Sequence, residues 1–202
     1  MSETNRYLIK ISACLAAAKF RLLKQLISEA LENRVPPQKI YEALLQAYLF
    51  LGYPKAIEGL KILREICDKD QNFSRINFSF RYWSEWKIRG RVLCEKVYGS
   101  NYQKLMNRMN EISPEMAEWM IVEGYGKVLA RGVLPGVVRE LCSVAILLVN
   151  SDINQLHSHM RGAKNLGATR DEITEAMQLA ADYCSKQKLN RVQKLFNMMY
   201  KE

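Results

Sequence analysis

The chain has 202 residues, 49% of them hydrophobic and 25% charged, a balance that gives a globular protein with a real core and excludes wholesale disorder. Its net charge of +9 comes from 30 basic and 21 acidic residues spread along the sequence. The one local run, Lys186, Lys188, Arg191 and Lys194, is read as a solvated helix face, so a nucleic-acid partner is not expected.

The periodicity is helical almost throughout, and an all-α fold is expected. A first block runs from about Tyr7 to Ile66. Its clearest helix follows Val35-Pro36-Pro37 and carries Ile40, Leu44, Ala47, Tyr48 and Leu51 on one face. Gly52-Tyr53-Pro54 breaks it, and a new helix carries Ile57, Leu60 and Leu63. Residues 68–83, polar with interleaved aromatics, read as a linker packed on the surface.

A second block runs from about Ser84 to Tyr200. Ser113-Pro114-Glu115 has the form of a helix start, with Ser as N-cap and Pro in the first turn. Asp152 is placed to cap the next-but-one helix, and Thr169 with Glu172 forms a capping box. The expected organisation is a helical repeat over 1–67, a linker over 68–83 and a second helical repeat over 84–202. The repeats are legible in the sequence: at a constant offset of 133, Ala30, Ile40, Glu42, Ala43 and Ala47 meet identical residues.

The longest apolar run, Val144 to Val149, is far short of the roughly 20 residues of a membrane helix. The opening Met1 to Arg6 has no signal-peptide pattern. A cytoplasmic protein with no membrane partner is therefore expected. Five cysteines, at 14, 67, 94, 142 and 184, are scattered and never spaced as CxxC. They are read as free thiols in apolar helix faces, without a disulfide framework or a zinc site.

On a helical wheel the residues Leu134, Val138, Leu141, Val144, Ala145 and Leu148 share one face. Glu140 flanks it, about 100 degrees from Leu141, and should be partly desolvated, which suits a general acid or base. On the following helix, Ile153, Leu156, Met160 and Ala163 form a stripe that includes His159, while His157 lies at its edge. An inward His opposite a half-buried Glu makes a proton-transfer pair: His159 moves the proton and Glu140 orients it. Arg139 or Arg161 offers a fork for a substrate carboxylate. The plainer reading is a hydrogen-bonded core His beside a Glu paired with an Arg, and structural ion pairs for Arg139 and Arg161. Tyr98, Tyr102, Trp119 and Tyr125 read as core aromatics, with Tyr125 carried as a candidate lining residue of a substrate pocket. A metal at His157 and His159 is not expected, because an i, i+2 spacing points the rings to different faces.

The ordered motifs resemble one family. They are Arg139-Glu140-Leu141, then His159-Met160-Arg161-Gly162-Ala163, then Gly167-Ala168-Thr169-Arg170-Asp171-Glu172-Ile173. Upstream lie Tyr125-Gly126, Arg131-Gly132-Val133-Leu134, Arg89-Gly90 and Val97-Tyr98-Gly99. Together they resemble carboxymuconolactone decarboxylase-like and AhpD-like proteins. In the first block, Glu42 to Ala47 followed by Gly52-Tyr53-Pro54 resembles the later part of the same pattern. The resemblance implies an AhpD-like all-α bundle, a homo-oligomer (here a dimer or trimer) and a site between helices. The peroxidase branch carries Glu-x11-Cys-x2-Cys-x3-His. Counted from Glu140, this chain has Asp152, Gln155 and His159, so the outer pair is kept and both cysteines are gone. Gly132-Val133 stands where the family usually has Pro-Gly.

The expected function is thus a cofactor-free, proton-transferring or decarboxylating enzyme acting on a small carboxylate or lactone. The alternatives are an alkylhydroperoxidase, a peroxiredoxin-type antioxidant protein that would need a low-pKa thiolate, and a non-catalytic interaction module that kept the fold.

Overall fold

The computed structural model describes residues 1–67, 73, 81–150 and 152–199. Among these residues the chain is helical throughout, with no strand. In order they form α1 (Glu3–Ala16), α2 (Phe20–Glu32), α3 (Pro37–Gln46), α4 (Tyr48–Ile66) and α5 (Arg81–Tyr98). A 3-10 turn (Gly99–Asn101), α6 (Tyr102–Ile112), α7 (Pro114–Trp119) and a π-helix (Met120–Leu129) follow. The chain then runs through α8 (Gly136–Asn150), α9 (Ile153–Asn165), α10 (Arg170–Ala181) and α11 (Lys186–Met199). No helix among the described residues is long and apolar enough to cross a membrane.

The two central helices are the ones buried over the longest unbroken runs. Every residue from Val138 to Leu148 in α8 is buried, and so is every residue from Ile11 to Ala16 in α1. A helix segment buried all round needs cover on every side. Here α1 and α8 pack on each other, α2 covers α1, α9 covers α8, and α10 touches both.

The helices begin where local hydrogen bonds say they should. Ser113 caps α7 by accepting from the Met116 N–H at 3.2 Å. Asp152 caps α9 by accepting from the Gln155 N–H at 3.2 Å. Thr169 and Glu172 make both halves of the capping box on α10. Gly52 takes φ +72 and kinks the chain ahead of Pro54, where the Gly-Tyr-Pro triplet predicts a break. Residues 81–83, read as the end of the linker, are instead the first turn of α5. Of the remaining linker residues, 68–72 and 74–80 lie outside the described residues. Phe73 is buried, stacked on Tyr41 at 4.7 Å with the Arg64 guanidinium 4.5 Å from its ring centre.

Helix starts recur at the offset seen in the sequence. Glu3 and Gly136 open α1 and α8, Phe20 and Ile153 open α2 and α9, and Pro37 and Arg170 open α3 and α10, each pair 133 residues apart. The turns between the helices match as well. Arg34 (φ 61) and Gly167 (φ 98) are both left-handed. The next residues, Val35 and Ala168, bond back to the Ala30 and Ala163 carbonyls at 2.9 and 2.8 Å. The cross-braces are reciprocal: Arg139 of α8 pairs with Glu42 of α3, and their counterparts at the same offset, Arg6 of α1 and Glu175 of α10, pair with each other. The first pair is buried and the second is partly solvated, so only the first is expected to matter much for stability.

The helix α5 lies unusually close to the π-helix. A Cβ on Gly90 would stand 2.1 Å from the Ile121 carbonyl oxygen, and one on Gly126 would stand 2.0 Å from the Trp86 carbonyl oxygen. Both glycines are therefore required by backbone contact, and Arg89 fixes the crossing with a 2.6 Å bond to the Gly126 carbonyl. Neither backbone can yield cheaply. Gly126→Ala is expected to lower unfolding free energy by roughly 3 kcal/mol, at the upper end of overpacking costs. Urea unfolding followed by far-UV circular dichroism measures this.

Candidate functional site

Glu140 lies one turn inside α8 and His159 at the middle of α9, and these two helices pack on each other. Their side chains meet: the His159 Nδ1 is 2.6 Å from Glu140 Oε2, with Glu140 2% and His159 7% exposed. The sequence reading placed Glu140 on the flank of the apolar face and only partly desolvated. It is more deeply buried, because α5 and the π-helix close the side that periodicity leaves open.

Three neighbours shape the pair. The Phe50 ring of α4 stands edge-on to the imidazole at 5.2 Å and holds its plane. Gly162 lets the backbone of α9 pass the carboxylate, since a Cβ there would meet Val97 Cγ1 at 2.8 Å and Glu140 Oε2 at 3.0 Å. This gives the Gly of the Arg-Gly-Ala triplet a physical reason. Tyr125, from the π-helix, is buried, and its ring stands edge-on to Tyr98 of α5 at 6.4 Å. Burial pushes the Tyr125 hydroxyl well above the ordinary tyrosine range, and the nearby Tyr98, Glu140 and Cys94 add to the effect. Tyr125 is thus a neutral hydroxyl at any physiological pH, within electrostatic reach of Glu140.

With Glu140 ionised, the short contact places the imidazole hydrogen on Nδ1, donating to the carboxylate. Nε2 is then left with its lone pair, as a base. A carboxylate so placed also stabilises the imidazolium that forms once Nε2 takes a proton. Sequence spacing identified both members of this pair.

The arginines divide. The Arg139 guanidinium is 1% exposed and turns away from Glu140. It donates to Glu42 Oε2 at 2.8 Å, to Gln46 Oε1 at 3.1 Å and to the Arg131 carbonyl at 3.0 Å. Its charge is spent on Glu42, which corrects the carboxylate-binding role considered for it and matches the plainer ion-pair reading. Arg131 joins the same carboxylate through Nε at 2.9 and 3.0 Å and Nη2 at 2.7 Å. Glu42, 0% exposed, is a residue that the sequence marked as a repeat position and as part of the family-like stretch, with no ion-pair role. It ties α3 to α8 and to the loop before α8. Burial alone would raise its carboxyl, but the two guanidiniums outweigh that and hold it below the ordinary range. Arg161 is half-buried on α9 beside a surface depression.

Trp119, read as a core aromatic, is 52% exposed instead, because the short α7 turns it outward. Cys142 is fully buried, and burial pushes its thiol up to about 11. Cys94 is pushed up to about 12 for the same reason. Neither is a thiolate near neutral pH.

At position 7 of the first repeat, 133 residues before Glu140, stands Tyr7, and at position 26, 133 before His159, stands Leu26. Tyr7 donates to Glu29 at 3.0 Å and accepts from Asn33 at 3.0 Å. The first repeat therefore keeps the helix frame but not the carboxylate and imidazole.

An all-α bundle with a buried carboxylate–imidazole pair between a central helix and the helix that covers it is the class defined by this geometry. Residues 114–196, spanning α7 to most of α11 and both members of the pair, match the carboxymuconolactone decarboxylase family model. That segment is similar to this family, and the all-α bundle of the described residues is of the AhpD-like kind. Two relatives are similar over longer stretches. Peroxisomal protein 2 of Schizosaccharomyces pombe is 26% identical over 187 residues, covering 90% of this chain and 86% of that protein. The 4-carboxymuconolactone decarboxylase of Acinetobacter baylyi is 24% identical over 127 residues, covering 63% of this chain and 92% of the enzyme.

Proposed function

We propose that the chain is a cofactor-free lyase or proton-transfer enzyme acting on a small carboxylate or lactone, with His159 as the acid–base group and Glu140 as the group that orients and charges it. The observation that carries this reading is the 2.6 Å contact between two buried titratable side chains on adjacent helices. The similarity to a protein named 4-carboxymuconolactone decarboxylase supports the substrate class.

The chemistry is balanced without a cofactor. When a carboxylate sits next to a carbon that can pass electrons into a carbonyl, its C–C bond breaks, CO2 leaves and an enolate remains. A proton from the His159 imidazolium then goes to carbon. The imidazole regains a proton from solvent, so the net change is one proton consumed and one CO2 released. Arg161 and Tyr125 are assigned to the substrate side, as a cation and a neutral hydroxyl. Thiol peroxide chemistry is disfavoured by burial of Cys94 and Cys142. Assembly as a homo-oligomer and a cytoplasmic location are kept as part of the proposal, with the name of the yeast relative offering the peroxisome as the other compartment.

The test is turnover of 4-carboxymuconolactone together with solvent-deuterium exchange into a panel of small keto acids and lactones. Glu140→Gln keeps shape but removes the charge behind His159. It is expected to cut kcat by roughly 10²-fold, within the range of acid–base contributions, with KM little changed. Equal kcat in wild type and variant on a substrate that the wild type turns over would remove the pair from the mechanism.

A further inference from the structure

Glu140 takes the Nδ1 edge of the His159 imidazole at 2.6 Å, and the His159 side chain is only 8% exposed. Proton transfer needs the reacting atoms about 3–3.5 Å apart. So small an opening does not admit a substrate to that distance, and a neighbour of His159 has to move. Phe50 stands in the place for it. Its ring centre is 5.2 Å from that of the imidazole. Phe50 is half-buried, so its ring has His159 on one side and solvent on another.

The backbone around Phe50 is jointed. Tyr48 to Leu51 form one helical turn, in which the Phe50 and Leu51 N–H groups donate to the Ala47 carbonyl at 3.1 and 2.9 Å. At Gly52 the chain leaves the helix, with φ +72 and ψ 172. The turn therefore ends on a residue that accepts large changes of backbone angle. Its start is anchored: the Tyr48 hydroxyl donates to Glu123 of the π-helix at 3.0 Å, and the Tyr48 ring stacks on Tyr53 at 5.3 Å. The Phe50 carbonyl accepts from the exposed Asn150 amide at 3.4 Å, longer than a good N–H···O bond. The turn is thus held firmly at Tyr48 and loosely at Phe50.

We propose that Phe50 is the gate to His159, and that substrate meets the imidazole in the space this ring fills. Turning the ring outward uncovers the imidazole and leaves the Glu140 contact in place, because that contact lies on the Nδ1 edge. A gate made of one phenyl ring also selects by size. The space it vacates suits a molecule of a few carbons and rejects a polymer. That opening serves turnover rests on the function proposed above; that Phe50 controls access to the imidazole does not.

The test is acylation of the full-length protein by diethyl pyrocarbonate at neutral pH, with His159 and His157 followed separately by peptide mass mapping. The reagent acylates an unprotonated imidazole nitrogen. Its rate at a covered histidine is the intrinsic rate multiplied by the fraction of time the site is open. Wild-type His159 is expected to react well below the rate of free Nα-acetylhistidine. Phe50→Ala is expected to raise the His159 rate at least about tenfold, and Phe50→Leu, which refills most of the space, by much less. His157 points to another side of α9 and should keep its rate in both variants. Ile27→Ala, which opens a cavity in the buried face of α2, controls for general loosening and should leave His159 protected. Four results overturn the gate: wild-type His159 reacting like the free amino acid, no change in Phe50→Ala, an equal rise at His157, or an equal rise in Ile27→Ala. If His159→Gln keeps full turnover while the reactivity of His159 still follows Phe50, the function proposed above fails and the gate stands.

Discussion

His159→Gln is expected to lower kcat by about 10²- to 10⁴-fold, the range of a positioned acid–base group, while leaving the protein folded. Glutamine is close in size to histidine and its amide N–H replaces the Nδ1 donor to Glu140, so the carboxylate keeps a partner at the place where the imidazole stood 2.6 Å away. What glutamine cannot do is take up or release a proton near neutral pH. The Phe50 contact at 5.2 Å and the α8–α9 packing do not depend on that proton, so near-UV circular dichroism and melting temperature should change little. Steady-state turnover and single-turnover deuterium incorporation measure the chemical step. Undiminished turnover in a folded His159→Gln protein would leave the imidazole with a packing role only.

Glu42→Gln is expected to be the most damaging single change to stability, about 3–5 kcal/mol, the usual cost of breaking a buried ion pair from one side. Two arginines depend on this one carboxylate, at 2.7 Å from Arg131 and 2.8 Å from Arg139. Arg139 is already short of partners, since its Nε has no hydrogen-bond acceptor. Removing the Glu42 charge leaves a buried guanidinium with only neutral acceptors, Gln46 and the Arg131 carbonyl. In a chain of this length the melting temperature should fall by roughly 10 °C or more.

The same residue predicts an acid limb of stability. Its folded carboxyl lies below the ordinary 4.5, so the folded state binds its proton less readily than the unfolded chain. The stabilisation is complete above 4.5 and drains away as pH falls through the folded value. The stability gap between wild type and Glu42→Gln should therefore be constant from neutral pH down to about 5 and should narrow below it. A gap that stays constant down to acid unfolding would place the acid limb on other carboxylates. The exposed counterpart pair, Arg6 with Glu175, is too well solvated to give an effect of this size.

Much of the molecule was legible because its signals are local. The caps at Ser113, Asp152 and Thr169 each concern a side chain and a backbone N–H three residues on. Such contacts form within one turn, and nothing distant is needed to read them. The helix break at Gly52 is local in the same sense. The repeat was legible for a different reason: two copies of one helix frame must bury the same faces, so Ile40, Ala43 and Ala47 recur as Ile173, Ala176 and Ala180. The meeting of Glu140 and His159, 19 residues apart, follows from apolar faces on two successive helices joined by a short turn, which pack on each other.

Tertiary structure decided the rest. A helical wheel gives the face that one neighbour covers, but not how many neighbours arrive, so Glu140 reads as half-buried until α5 and the π-helix are in place. It likewise cannot say which way Arg139 reaches, because its partner Glu42 is 97 residues away. The close crossing at Gly90 and Gly126 is a backbone-to-backbone contact, which no side-chain pattern encodes. The sequence by itself determined the helices, their caps, the doubled frame and the two side chains that can share a proton. Which charges are locked into the frame depended on contacts between distant segments, because charge pairing is settled by proximity in space and periodicity records only proximity along a helix.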